Sequence, residues 1–135
     1  MKLGTKKVTV EDFAEEVQLT FDFVGDTIKG ILKDASLNAA ESTCRDVTNR
    51  SMSIFHSKTH AYARGWTVSA TNNGYVVHNK PHYRLTHLLE NGHNVKNQYG
   101  ETGKEAKPHP HIKSAEIEGV QKFIDEVNQK LETEL

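Results

Sequence analysis

Histidine is the residue type that most invites a chemical reading. The chain of 135 residues has eight, and all of them lie between Ser51 and Lys113. A neutral imidazole is a good metal ligand, and its ordinary pKa sets its charge change near neutrality. Zinc takes three or four N, O or S ligands. A metal site would therefore draw on His82, His87, His93, His109 and His111, and His109-Pro110-His111 sets two rings on one side of an extended segment. Against this, no HExxH or comparable ligand spacing occurs. His87 and His93 also flank an expected helix stop, so no single element fixes their geometry. Surface or interface histidines in polar segments are the simpler account, and neither a cofactor nor a metal is expected.

Other constellations are thinner. Glu90 beside His87 or His93 makes an acid–base pair on paper, as any histidine-rich chain does by chance. Cys44 falls inside an expected helix with nothing to lower its pKa, and a small filler is the simpler reading. Ser51, Ser53 and Ser57 lack a GxSxG elbow, and no phosphate-binding glycine loop is present. Arg64, Lys96, Lys104 and Lys107 with Tyr99 are candidates for contact with nucleic acid, the bland alternative being a solvated loop. Trp66 and Tyr62 read as core residues, with base stacking the remote option. Two alternative functions are kept from these residues: a small histidine-dependent metal hydrolase and a nucleic-acid-binding accessory protein.

Composition narrows the classes. Hydrophobic residues make up 36% of the chain, which suits one lean domain that finishes its burial against partner subunits. No apolar run approaches the roughly 20 residues of a membrane span. Lys2, Lys6 and Lys7 are followed by no apolar segment, so no secretory signal is read. The single cysteine excludes an internal disulfide. The expectation is a soluble protein of a reducing compartment. The net charge of -1 conceals a pattern: residues 1–50 sum to -2, residues 51–113 to +5 and residues 114–135 to -4. A positive centre between acidic ends attracts phosphates or the acidic flank of a second copy.

The elements that must position these residues follow from periodicity. From Thr9, a plausible cap, to about residue 50 the chain reads as one helix. Phe13, Val17, Phe21, Val24, Ile28, Ile31, Ala35 and Ala39 recur every three or four residues. Gly25 and Gly30 mark a kink or a close approach of another backbone. Residues 51–60 read as a polar arm. Tyr62, Arg64, Trp66, Val68 and Ala70 alternate as a strand, and Asn73-Gly74 is the cue for a type I′ hairpin turn. Pro81 is read as opening a short helix with Leu85, Leu88 and Leu89 as its stripe, stopped by Asn91-Gly92. Residues 93–108 hold almost nothing to bury and read as a long exposed loop. Ser114 then caps a closing helix, with Ile117, Val120, Ile124, Val127 and Leu131 on one face. The fold class is α+β: a long N-terminal helix, an antiparallel sheet built around a hairpin, and a short middle helix and a C-terminal helix packed on the sheet, all in a single domain.

Two stretches carry a resemblance. Tyr83-Arg84-Leu85-Thr86-His87-Leu88-Leu89-Glu90-Asn91-Gly92-His93 resembles the signature of small tailed-phage proteins of the head–tail junction, the neck, head–tail joining or tail-completion proteins. Pro110-His111-Ile112-Lys113-Ser114-Ala115 resembles the later box of the same family, with Ser114 where the family often has proline. The order of elements from about residue 9 to 130 also matches. The resemblance implies a non-enzymatic virion component, made in the bacterial cytoplasm and assembled as a ring, hexameric by analogy, between capsid and tail. Its partners would be copies of itself, the neighbouring connector and tail proteins and DNA passing through the channel, with no membrane. Trp66, Asn73, Gly74, Tyr83, Leu88, Leu89, Glu90, Gly92, Pro110 and Ile112 are then structural positions. The expected partner or ring contacts are Arg64, Lys96, Tyr99, Lys104, Lys107, His93, His109 and His111.

Overall fold

The computed structural model describes residues 10–135, without the side chains of residues 10–14, 16 and 21. The cap assigned to Thr9 and the stripe positions Phe13 and Phe21 therefore lie outside the described side chains. The elements run α1 (Val10–Ile54), α2 (Ala61–Arg64), β1 (Trp66–Thr71), β2 (Gly74–Asn79), α3 (Thr86–Asn91), β3 (His93–Asn97), β4 (Gly100–Ala106) and α4 (Ile112–Glu134). The class is α+β as expected, with the strands in two separate antiparallel pairs, β1–β2 and β3–β4. Among the described residues, no helix is long and apolar enough to cross a membrane.

The helix α1 is unbroken through Gly25 and Gly30, and a Cβ at either would meet nothing within 4 Å. Neither a kink nor a close approach within the chain explains those glycines. From Ile31 onward the α1 stripe is buried, through Ala35, Ala40 and Val47. Such small residues let α4 lie close along it. The two helices run antiparallel: Arg50 Nη2 reaches Glu118 Oε1 at 3.1 Å, and Asn38 Nδ2 reaches Glu126 Oε1 at 2.9 Å. Gly119 is where they come closest, since a Cβ there would collide with Thr43 Oγ1.

The β1–β2 hairpin lies on α1 and pairs Trp66 with Asn79 through Thr71 with Gly74. Alternation sends Trp66, Tyr75 and Val77 toward α1 and α4, and puts Val68 beside Cys44 and Thr48 of α1. Ser69 and His78 share the outer face, Ser69 Oγ lying 2.7 Å from His78 Nε2. The pairing leaves Asn72 and Asn73 as the loop, one position before the expected Asn73-Gly74. Neither has positive φ, so the turn is not type I′; Gly74 takes the unusual conformation instead, at φ +153°.

Several expected boundaries move. The first four residues of the arm at 51–60 extend α1, which continues to Ile54 with Ser51 fully buried, while residues 55–60 form neither helix nor strand. The alternation from Tyr62 begins as one helical turn, α2, because the chain turns at Gly65 to pass against Asn79 and Pro81; a Cβ there would collide with the Asn79 carboxamide. Pro81 sits in a turn, and α3 opens only at Thr86. Residues 93–108 are exposed, as expected, but form a hairpin rather than a loop: β3 pairs with β4 from His93 opposite Ala106 to Asn97 opposite Gly100, with an irregularity between Asn94 and Lys96.

Candidate functional site

The end of α1, the α2 turn, the base of β1–β2, the end of α3 and the entry to α4 meet in one polar and aromatic knot. Ser51 Oγ donates to the Val47 carbonyl at 2.6 Å and accepts the Trp66 indole N–H at 3.0 Å, tying β1 to α1. Asn79 is buried at the end of β2. Its Nδ2 donates to the Tyr62 carbonyl at 2.7 Å, and its Oδ1 accepts the His82 N–H at 3.2 Å. Phe55, just past α1, meets Tyr62, His109 and His111 edge-on, with ring centroids 5.3, 5.6 and 5.0 Å apart.

His111 is the centre and is 0% exposed. Its Nδ1 lies 2.7 Å from the His109 carbonyl oxygen, which only accepts, so Nδ1 carries the proton. In the neutral ring Nε2 is then the acceptor, and the Tyr62 hydroxyl donates to it at 2.8 Å. Burial, with the nearby negative charge of Glu90, pushes the Tyr62 phenol well above its ordinary value of 10 and keeps it a donor.

Glu90 makes the joint. Its Oε1 accepts the backbone N–H groups of His111 at 2.7 Å and Ile112 at 2.8 Å, and its Oε2 accepts that of Lys113 at 3.0 Å. These are donors that a helix start leaves unsatisfied, so the carboxylate at the end of α3 caps α4. Burial acts to raise the pKa of Glu90. The three N–H bonds, helped by the His111 ring, outweigh it and hold the carboxyl below its ordinary 4.5. Ser114, the expected cap, is the third residue of α4, and no side chain of the N-cap His111 takes that role. The serine could not compete: Glu90 offers two charged oxygens to three donors where a hydroxyl offers one.

The motif positions are structural. Gly92 ends α3 at φ +75°, and a Cβ there would come within 2.6 Å of the Ala106 carbonyl oxygen, so the crossing of chain before β3 and after β4 needs glycine. The His109 N–H donates to the Leu89 carbonyl at 2.7 Å, closing the same crossing. Leu88 and Leu89 are half-buried, as are Trp66 and Ile112, while Tyr83 and Pro110 are exposed and Arg84 lies over the Tyr83 ring.

Of the expected partner contacts, Arg64, His93, Lys96, Tyr99, Lys104, Lys107 and His109 are exposed. His111 is not, and cannot serve as an interface residue. The structure does not gather His82, His87, His93, His109 and His111: among the described residues, no three His, Cys, Asp or Glu side chains stand where they could hold a metal. Glu90 pairs with His111, not with His87 or His93. Cys44 is half-buried, and burial raises its thiol against the opposing pull of Thr48 and Arg45. Phe55 and Asn79 belong to the knot without having been singled out, and Ser51, weighed in sequence only as a nucleophile, joins them. Asn79 stands between His78 and Lys80, two positions before Pro81, and nothing local marks it, or Ser51, for burial.

With its hydroxyls, imidazole and carboxylate engaged and His111 closed to solvent, the knot holds the elements together. Compared with protein-family profiles, with curated proteins and with solved structures, the chain matches none of them.

Proposed function

We propose that this chain is a non-enzymatic structural protein of the head–tail junction of a tailed phage, where copies form a ring that joins the tail to the capsid. One observation carries the reading. The two stretches that resemble the family, Tyr83 to His93 and Pro110 to Ala115, meet at a single joint, where Glu90 of the first accepts the N–H groups of His111, Ile112 and Lys113 in the second. Residues that look chemical in sequence thus hold a fold together, which is what a structural subunit requires of them. The exposed β3–β4 hairpin, bearing Lys96, Tyr99, Lys104 and Lys107, is free to meet the adjoining ring or DNA in the channel.

The test removes that hairpin from the phage or prophage that encodes the protein. His93 and Ala106 are paired neighbours, so residues 94–105 can be replaced by two glycines without displacing the joint. The expected result is a folded subunit with heads and tails that stay separate. Infectious particles in normal yield would overturn the reading.

A further inference from the structure

We infer that the N-terminal half of α1 of one copy docks, through Leu19 and Phe23, in the groove between the β1–β2 hairpin and α4 of the next copy. The inference rests on the ring proposed above and names the surfaces that would close it.

The first surface is an overhang. The antiparallel register that sets Asn38 against Glu126 brings Glu134, the last residue of α4, level with Gly30. Residues 10–29 of α1 therefore run on beyond α4, about 30 Å of helix at roughly 1.5 Å per residue. Most helical stability in proteins comes from packing of an apolar face, which this stretch lacks within the chain. Leu19 is 63% exposed and Phe23 48% exposed, and their four-residue spacing puts them on one face. Gly25 lies in the same stretch, with nothing within 4 Å of where its Cβ would be. As a helix glycine it costs this stretch stability.

The second surface is a groove of about 530 Å³, floored by Ala39 and Ala40 of α1 and walled by Tyr75 and Val77 of the hairpin and by Val120 and Phe123 of α4. Among the described residues, Glu116 is the only charged side chain lining it. Val120 is 53% exposed and continues into an outward stripe with Ile117 and Ile124, both exposed, so groove and stripe form one apolar patch.

The exposed area leaves surface for such a contact. A folded monomer of 15.2 kDa exposes about 7,100 Å², whereas this chain exposes 10174 Å². Even crediting the nine residues outside the described range with the surface of an unfolded chain, about 1,450 Å², the surplus remains roughly 1,600 Å². That is room for two patches of about 800 Å², the share of each partner in an ordinary stable interface. A ridge and a groove are complementary to each other and not to themselves. The contact is therefore head-to-tail, the kind that closes into rings.

Single-cysteine proteins on a Cys44→Ser background test this. Full-length Phe23→Cys and Val120→Cys proteins are mixed and treated with a short bismaleimide. The expected product is a cross-linked pair containing one of each, at least about tenfold more abundant than the product of either alone. Equal self-cross-linking by Phe23→Cys would mean symmetric pairing of overhangs and would overturn the inference, as would no cross-link at all. The double variant Leu19→Glu/Phe23→Glu should keep its helix content and melting temperature and weaken self-association about tenfold or more; unchanged association overturns the inference. Rings in electron micrographs without the 23–120 cross-link would leave the head–tail reading standing and remove this one. The cross-link without closed rings would do the reverse.

Discussion

The two β-hairpins are of similar length and opposite circumstance. The β1–β2 pair lies on α1 with one face of each strand turned inward, and is anchored at its base by Trp66 to Ser51 and by Asn79 to the Tyr62 carbonyl. The β3–β4 pair packs broadly on no other element. Its side-chain support comes from within the hairpin, including a Lys96–Glu101 pair at 3.9 Å, the Thr102 hydroxyl on the Val95 carbonyl at 2.9 Å and Asn97 Oδ1 on the Tyr99 N–H at 2.8 Å. An isolated two-stranded hairpin is marginally stable in water. The first hairpin is therefore part of the folding unit, and the second is a projection whose order depends on what it meets. Lack of apolar residues marks a segment as uncovered; it does not mark it as structureless, because backbone pairing asks little of side chains.

Substitutions at the anchor should give the largest effects. Trp66→Ala removes the indole that walls the groove and donates to Ser51, and should destabilise the protein by about 3 kcal/mol, measured by chemical denaturation. Glu90→Ala leaves three N–H groups of the α4 start without their acceptor and should cost about 2–3 kcal/mol. A loss under about 1 kcal/mol in Trp66→Ala would mean that the first hairpin is as loosely held as the second, and the same in Glu90→Ala that the α4 start does not depend on its carboxylate. Acid offers an independent check. The folded-state pKa of Glu90 is lowered, so its contribution is complete above the ordinary value of 4.5 and is lost as pH falls through the lower folded value. As pH falls below the ordinary value of 4.5 the native protein should therefore lose more stability than Glu90→Gln, and parallel acid profiles would rule out the carboxylate as the cap.

The anchor was the part least legible in the sequence. Helical stripes, the first hairpin, the stop at Asn91-Gly92 and the closing helix follow from periodicity and turn chemistry, which act over a few residues. The cap of α4 comes from Glu90, more than twenty residues upstream, and the local rule favoured Ser114. The same limit hid Ser51 and placed a polar arm where α1 continues, since nothing near Ser51 shows that an indole will lie over it. His111 drew attention as a ligand because of its type. Its role is set by Tyr62, which only the fold brings near.

Two helix glycines carry the contrast between covered and uncovered surface into α1 and α4. At Gly119 a methyl group would meet Thr43, whose Oγ1 and Cβ stand against it. Gly119→Ala should cost about 1–2 kcal/mol through overpacking. At Gly30 the methyl group meets nothing, and Gly30→Ala should gain up to about 1 kcal/mol from helix propensity alone. Opposite signs in thermal melts are expected; a loss at both sites would mean that α1 is already covered near Gly30 in the isolated protein.

The smallest effect on folding should fall at the tip of the second hairpin. Tyr99 is 88% exposed, and its backbone N–H donates to Asn97 Oδ1 at 2.8 Å, a bond that does not involve the ring. Tyr99→Ala should shift stability by less than about 0.5 kcal/mol, while removing the one large amphipathic side chain that β3–β4 offers a partner. An aromatic ring held at full exposure gains nothing for the monomer and is a side chain favoured at interfaces. On the proposed head–tail function, joining of heads to tails should therefore fall in Tyr99→Ala with the melting curve unmoved, and a joining defect that appeared only with a lowered melting temperature would mean that the tip supports the fold instead.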